Sequence, residues 1–138
     1  IEMEPYDKWN YIELANAKAK LNRMKDVIDV LDKYLKKYPN DKPFILMKGN
    51  AKYITGEYSK AIEIFSQYLD LTPKSSLALR GRAYAKYELD DINGACSDYQ
   101  LSIKNKYPHS NSISKVEQNE FPLLYLPINK EINICSSK

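Results

Sequence analysis

Three prolines, Pro5, Pro39 and Pro73, stand 34 residues apart, and the Ala-Lys pairs 17–18, 51–52 and 85–86 keep the same spacing. A fixed period of this length constrains a chain more than any composition does, because it demands one structural unit used again and again. Residues 8–41, 42–75 and 76–109 therefore align as three rows of 34 columns. Column 8 holds Ala15, Gly49 and Ala83, and column 20 holds Val27, Ala61 and Ala95. Column 24 holds Leu31, Phe65 and Tyr99, and column 28 holds Leu35, Leu69 and Ile103. Small residues let two helices approach, and large ones at helical spacing fill the remaining space. Each row thus predicts two antiparallel helices.

The boundaries follow from turn chemistry. Column 15 carries Asn22, Gly56 and Asp90, the types that best tolerate a left-handed residue after a helix. Column 34 carries Asp7, Asp41 and Ser75, all good N-caps. First helices are predicted over 8–21, 42–55 and 76–89, and second helices over 24–37, 58–71 and 92–106. Loops this short make each pair antiparallel neighbours. By the same register, residues 1–7 read as the tail of a preceding repeat, with Asp7 capping the next helix. The chain is accordingly expected to be part of a longer protein.

The stretch Lys48-Gly49-Asn50-Ala51-Lys52-Tyr53-Ile54-Thr55-Gly56-Glu57-Tyr58-Ser59-Lys60-Ala61-Ile62, with proline at column 32, resembles the tetratricopeptide repeat family. The likeness covers residues 1–109. It departs at column 7 (Leu14, Lys48, Arg82), where the family favours leucine, and at column 11 (Lys18, Lys52, Lys86), where tyrosine is common. The resemblance implies an all-α fold: an α-solenoid, a right-handed superhelix of antiparallel helix pairs, here with a C-terminal cap segment outside the repeat. It also implies a concave face lined by columns 2, 5, 9, 12 and 13, where family members hold an extended peptide, with columns 5, 9 and 12 supplying the candidates here. On that basis the candidate partner-binding residues are Ile12, Asn16, Leu46, Asn50, Tyr53, Arg80, Tyr84 and Tyr87. The column-9 asparagines would hydrogen-bond a peptide backbone, since an amide donates and accepts at once. They should then be at least partly accessible to solvent.

The chaperone-tail-binding members of that family use a carboxylate clamp. At its positions this chain offers Ile12, Asn16, Met47, Leu77 and Gly81, of which Asn16 alone matches. Binding to an acidic chaperone tail is therefore not expected.

Residues 110–138 leave the period. Phe121-Pro122-Leu123-Leu124-Tyr125-Leu126-Pro127 is the most apolar run in the chain, and its two prolines bar a regular helix. It reads as a folded cap on the second helix of row three, because a solenoid end needs covering. The alternative is that it docks in a groove, of its own or a neighbouring chain.

Other function classes find little support. The formal net charge of +3 is spread so that no row departs from neutrality by more than two charges, which argues against nucleic acid or an anionic membrane surface. No apolar run approaches the roughly 20 residues needed to span a bilayer. The single His109 falls after the last repeat, and no phosphate loop, CxxC or GxSxG is present. No enzyme activity, cofactor or metal is expected. Cys96 and Cys135 sit at no metal or redox spacing and read as free thiols, which favours the cytoplasm. The expected function is a protein-protein interaction scaffold holding a peptide or partner protein. The alternative is a self-assembly module, a homodimer joined through the array ends or the C-terminal segment.

Overall fold

The computed structural model describes residues 5–105 and Cys135, with side chains from Lys8 onward. Among the described residues there are six helices and no strand: α1 Pro5–Lys20, α2 Met24–Lys37, α3 Lys42–Ile54, α4 Tyr58–Leu71, α5 Ser76–Glu88 and α6 Ile92–Lys104. Each helix packs on the next in chain order, and α3 also touches α5. The starts of α2, α4 and α6 fall at equivalent columns, so the period seen in sequence is a period of structure.

Turn chemistry accounts for the breaks. Asn22, Gly56 and Asp90 all adopt positive φ, at 60°, 83° and 65°. Their backbone reverses the chain after α1, α3 and α5 without a long loop. Two N-caps act through their side chains. Ser75 Oγ accepts from the Ala78 amide at 3.2 Å, and Asp91 Oδ1 accepts from the Gly94 amide at 3.0 Å. Asp41 stands at the N-cap of α3 but makes no cap hydrogen bond. Its carboxylate instead accepts from the Tyr34 hydroxyl at 2.7 Å and pairs with Lys8 at 3.1 Å.

The first helix begins at Pro5, three residues before the expected start at residue 8, so Asp7 lies within the helix and does not cap it. Proline suits a first helical turn, where its missing N–H has no intrahelical acceptor to lose. Residues 1–4 lie outside the described residues, as does the expected cap over 110–138 except for Cys135.

The core sits where the small and large columns meet. Ala15, Val27, Leu31, Ala61, Phe65, Ala83 and Ala95 are all fully buried. Phe65 is the tightest element. A Cβ on Gly49 of α3 would lie 2.7 Å from its ring, and one on Gly81 of α5 would lie 2.5 Å away. The phenyl group is therefore clasped between two glycine backbones from successive repeats. A second aromatic knot joins the first repeat to the second: Tyr34 stacks on Phe44 at 3.6 Å between ring centroids and meets Tyr11 edge-on at 5.3 Å.

Four of the charged residues at columns 7 and 11 form ion pairs. Lys48 bridges to Asp32 of α2 at 2.7 Å. Arg82 grips Asp98 of α6 through two nitrogens, at 2.8 and 2.9 Å, and reaches Ser66 of α4 at 3.1 Å. Lys86 adds a third contact to Asp98 at 3.0 Å. Asp98 is thus a buried carboxylate with two cations on it, and the charged columns stitch helices that leucine and tyrosine would otherwise pack.

Candidate partner-binding face

Columns 5, 9 and 12 are i, i+4 and i+7 on each first helix, so each trio shares one helical face. The structure divides these residues into two groups. Ile12, Leu46, Asn50 and Tyr84 are buried, Asn50 completely. Asn16, Tyr53, Arg80 and Tyr87 are partly exposed.

The burial has a packing cause. Leu46 belongs to the cluster that holds Ala78, Leu79 and Ala85 of α5. Tyr53, two turns on, approaches the Tyr84 ring with centroids 6.5 Å apart. Asn50 lies between them on the same stripe, so the α3 stripe faces α5 rather than solvent. Ile12 closes the cluster formed with Ala15, Val27, Leu31 and Phe44. Tyr84 packs with Ala83 and Ala95 at the centre of a cluster bordered by Tyr53, Tyr87, Cys96 and Tyr99. The expected accessibility of the column-9 asparagines therefore holds for Asn16 and fails for Asn50. Ile12, Leu46, Asn50 and Tyr84 lie in the core.

What remains at the surface is a mixed set. Tyr53 and Tyr87 offer rigid aromatic area with a polar tip. The Arg80 guanidinium sits over the Tyr99 ring, 5.6 Å from its centroid, which fixes its position while leaving the cation partly exposed.

Two features escaped sequence reading. One is a cavity of about 550 Å³ lined by Lys25, Ile28, Asp29, Lys52, Thr55 and Glu57, where the α3–α4 turn meets the start of α2. Within it the Thr55 hydroxyl donates to Glu57 at 2.8 Å and Lys52 lies 3.4 Å away; together they hold the Glu57 carboxyl below its ordinary range. Only the turn residue Gly56 between Thr55 and Glu57 hinted that these side chains converge. The other is a disulfide between Cys96 and Cys135, with Cα atoms 4.8 Å apart. It corrects the free-thiol reading. Spacing could not reveal it, because 39 residues separate the two cysteines.

Among the described residues, no group of three or more His, Cys, Asp or Glu side chains could hold a metal ion. No described helix is long and apolar enough to cross a membrane. His109 lies outside the described residues. No family model matches the chain, and the comparison with curated proteins finds no match.

Proposed function

We propose that this chain is a tetratricopeptide-like solenoid segment that holds an extended stretch of a partner protein along its inner face. The observation that carries the reading is the division of labour among columns. The columns that must be core are filled, yet Asn16, Tyr53, Arg80 and Tyr87 stay partly exposed on the face the resemblance assigns to ligands. An amide, two phenols and a guanidinium suit recognition of a peptide backbone with an acidic or aromatic side chain. They form no nucleophile–base pair, so binding is the favoured role over catalysis.

The disulfide favours an oxidising compartment over the cytoplasm, since thiols are kept reduced in the latter. It also weighs against self-assembly through the end of the array, because Cys135 of the same chain already occupies α6 there.

Selection of peptides from a random library, followed by affinity measurement on variants, tests the proposal. Selected peptides should lose at least about tenfold in affinity on Arg80→Ala with Tyr87→Ala. They should tolerate Lys36→Ala with Lys37→Ala, on the exposed end of α2. Equal loss from both pairs, or no loss from the first, would refute the assignment of this face.

A further inference from the structure

The cavity beside the α3–α4 turn lies at the joint between the first and second repeats, and none of its lining residues belongs to the proposed partner face. Its wall carries both signs of charge, Lys25 and Lys52 against Asp29 and Glu57, and Ile28 and Thr55 complete it. Lys52 and Glu57 pair with each other at 3.4 Å. Lys25 and Asp29 are exposed, one turn apart on α2, and make no ion pair among the described residues. At the next joint the same columns hold Ser59, Ile62, Glu63, Lys86, Leu89 and Asp91, and the charges there have other work. Lys86 is held by Asp98, and Asp91 caps α6 by accepting from the Gly94 amide. Glu57 stands at the N-cap of α4 yet makes no cap hydrogen bond, and turns to Thr55 and Lys52 instead. The charged lining is thus particular to the first joint and is not a by-product of the repeat.

We propose that this cavity binds a short zwitterionic peptide, with its carboxylate toward Lys25 and Lys52 and its ammonium toward Asp29 and Glu57. The charge balance selects the class. Two cations and two carboxylates line the site, so a simple anion or cation meets as much repulsion as attraction. A molecule bearing both charges is attracted at each end. Lys25 and Asp29 can be paired by the ligand without breaking any ion pair of the fold. The size also fits, since about 550 Å³ falls within the roughly 300–1,000 Å³ typical of small-ligand sites. Both α2 and α4 start at the cavity wall, at Met24 and Tyr58, and the positive ends of their dipoles favour the carboxylate. A ligand seated there touches α2 of the first repeat and the α3–α4 turn of the second, and so ties the two repeats together.

Titration of the full chain with trialanine, followed by amide chemical shifts in NMR, tests this. A Kd near about 1 mM is expected, because exposed charge pairs each contribute little. Shifts at the amides of residues 25–29 and 55–57 should saturate together. The same tripeptide acetylated at its N-terminus and amidated at its C-terminus should bind at least about tenfold more weakly. Lys25→Ala with Asp29→Ala, at two exposed positions whose replacement leaves the fold intact, should also weaken trialanine by about tenfold or more. Shifts that stay linear up to about 20 mM trialanine would overturn the proposal. Equal binding of the capped tripeptide, or of trialanine to the variant, would overturn it as well. Inorganic phosphate binding at these amides as tightly as trialanine would do the same, by showing a plain anion site.

Discussion

Replacing Gly81 with alanine sets a helix-propensity gain against a clash, and the structure decides which wins. Alanine in a helix interior is favoured over glycine by about 1 kcal/mol. The new Cβ would stand 2.5 Å from Phe65 Cζ and 2.8 Å from both Cε atoms, whereas carbon contacts settle near ~3.5–4.0 Å. The ring must retreat by about 1 Å, yet the Gly49 backbone also presses on it, since a Cβ there would meet the ring at 2.7 Å. With two backbones already close on the ring, the upper part of the usual overpacking cost, roughly 2–3 kcal/mol, applies. Gly81→Ala should therefore destabilise the chain by about 1–2 kcal/mol. In a Phe65→Leu background the ring edge is gone, and the same substitution should become neutral or stabilising by up to about 1 kcal/mol. A double-mutant cycle by urea unfolding, followed by circular dichroism, reads a coupling of roughly 2–3 kcal/mol. The reasoning fails if Gly81→Ala stabilises the wild type, or shifts both backgrounds alike.

Asp98→Ala should cost about 2–4 kcal/mol in urea unfolding, because it strands Arg82 and Lys86 beside a buried site; Arg82→Lys should recover little, lacking the planar fork that spans both carboxylate oxygens. Removing the disulfide by Cys96→Ser with Cys135→Ser should lower stability by up to about 4 kcal/mol, the loop-closure value for a 39-residue separation, and a melting scan that shows no drop would refute it. Burial, then the Asp41 carboxylate that accepts its proton, raises the Tyr34 phenol above its ordinary value of 10.0. The folded state thus prefers the protonated phenol, so this contribution is complete below about pH 10 and is lost as pH climbs further. Tyr34→Phe should be less stable at neutral pH by about 1 kcal/mol and should decline less steeply above pH 10, as denaturation across pH 8–11 will report. An acidic chaperone-tail peptide should show no micromolar affinity in calorimetry, and tight binding lost on Asn16→Ala would contradict this.

The helices were legible because their determinants are local. Asn22, Gly56 and Asp90 announce turns by residue type, and alternating small and large columns at a fixed period announce paired helices. The start of α1 falls earlier than its N-cap signal at Asp7, since proline both ends one helix and begins another and residue type alone does not separate the two. The binding face was half legible for a related reason. Column position tells which way a side chain leaves its own helix, but not whether a neighbouring helix covers it. Asn16 and Asn50 share column 9 and differ in exposure because α5 packs across the Leu46–Asn50–Tyr53 stripe. The disulfide depends on where residue 135 returns in space, which no local pattern encodes.

Family position is therefore a poor guide to ligand contact wherever repeats press closely together, and the glycines explain why they do so here. Gly49 and Gly81 let the Phe65 ring draw successive first helices together, and α3 meets α5 directly. That approach buries Leu46, Asn50 and Tyr84 in the joint between the second and third repeats. On the proposed reading, the ligand surface then falls to the side chains that stay partly exposed, namely Asn16, Tyr53, Arg80 and Tyr87. If this face binds as proposed, stability and recognition are coupled through the same stripe, and substitutions at the joint should alter ligand affinity by changing the spacing of Tyr53 from Tyr87. Gly81→Ala, which forces the joint apart, should weaken selected peptides although residue 81 touches none of them. Unchanged affinity in a folded Gly81→Ala chain would show that the face does not depend on the joint.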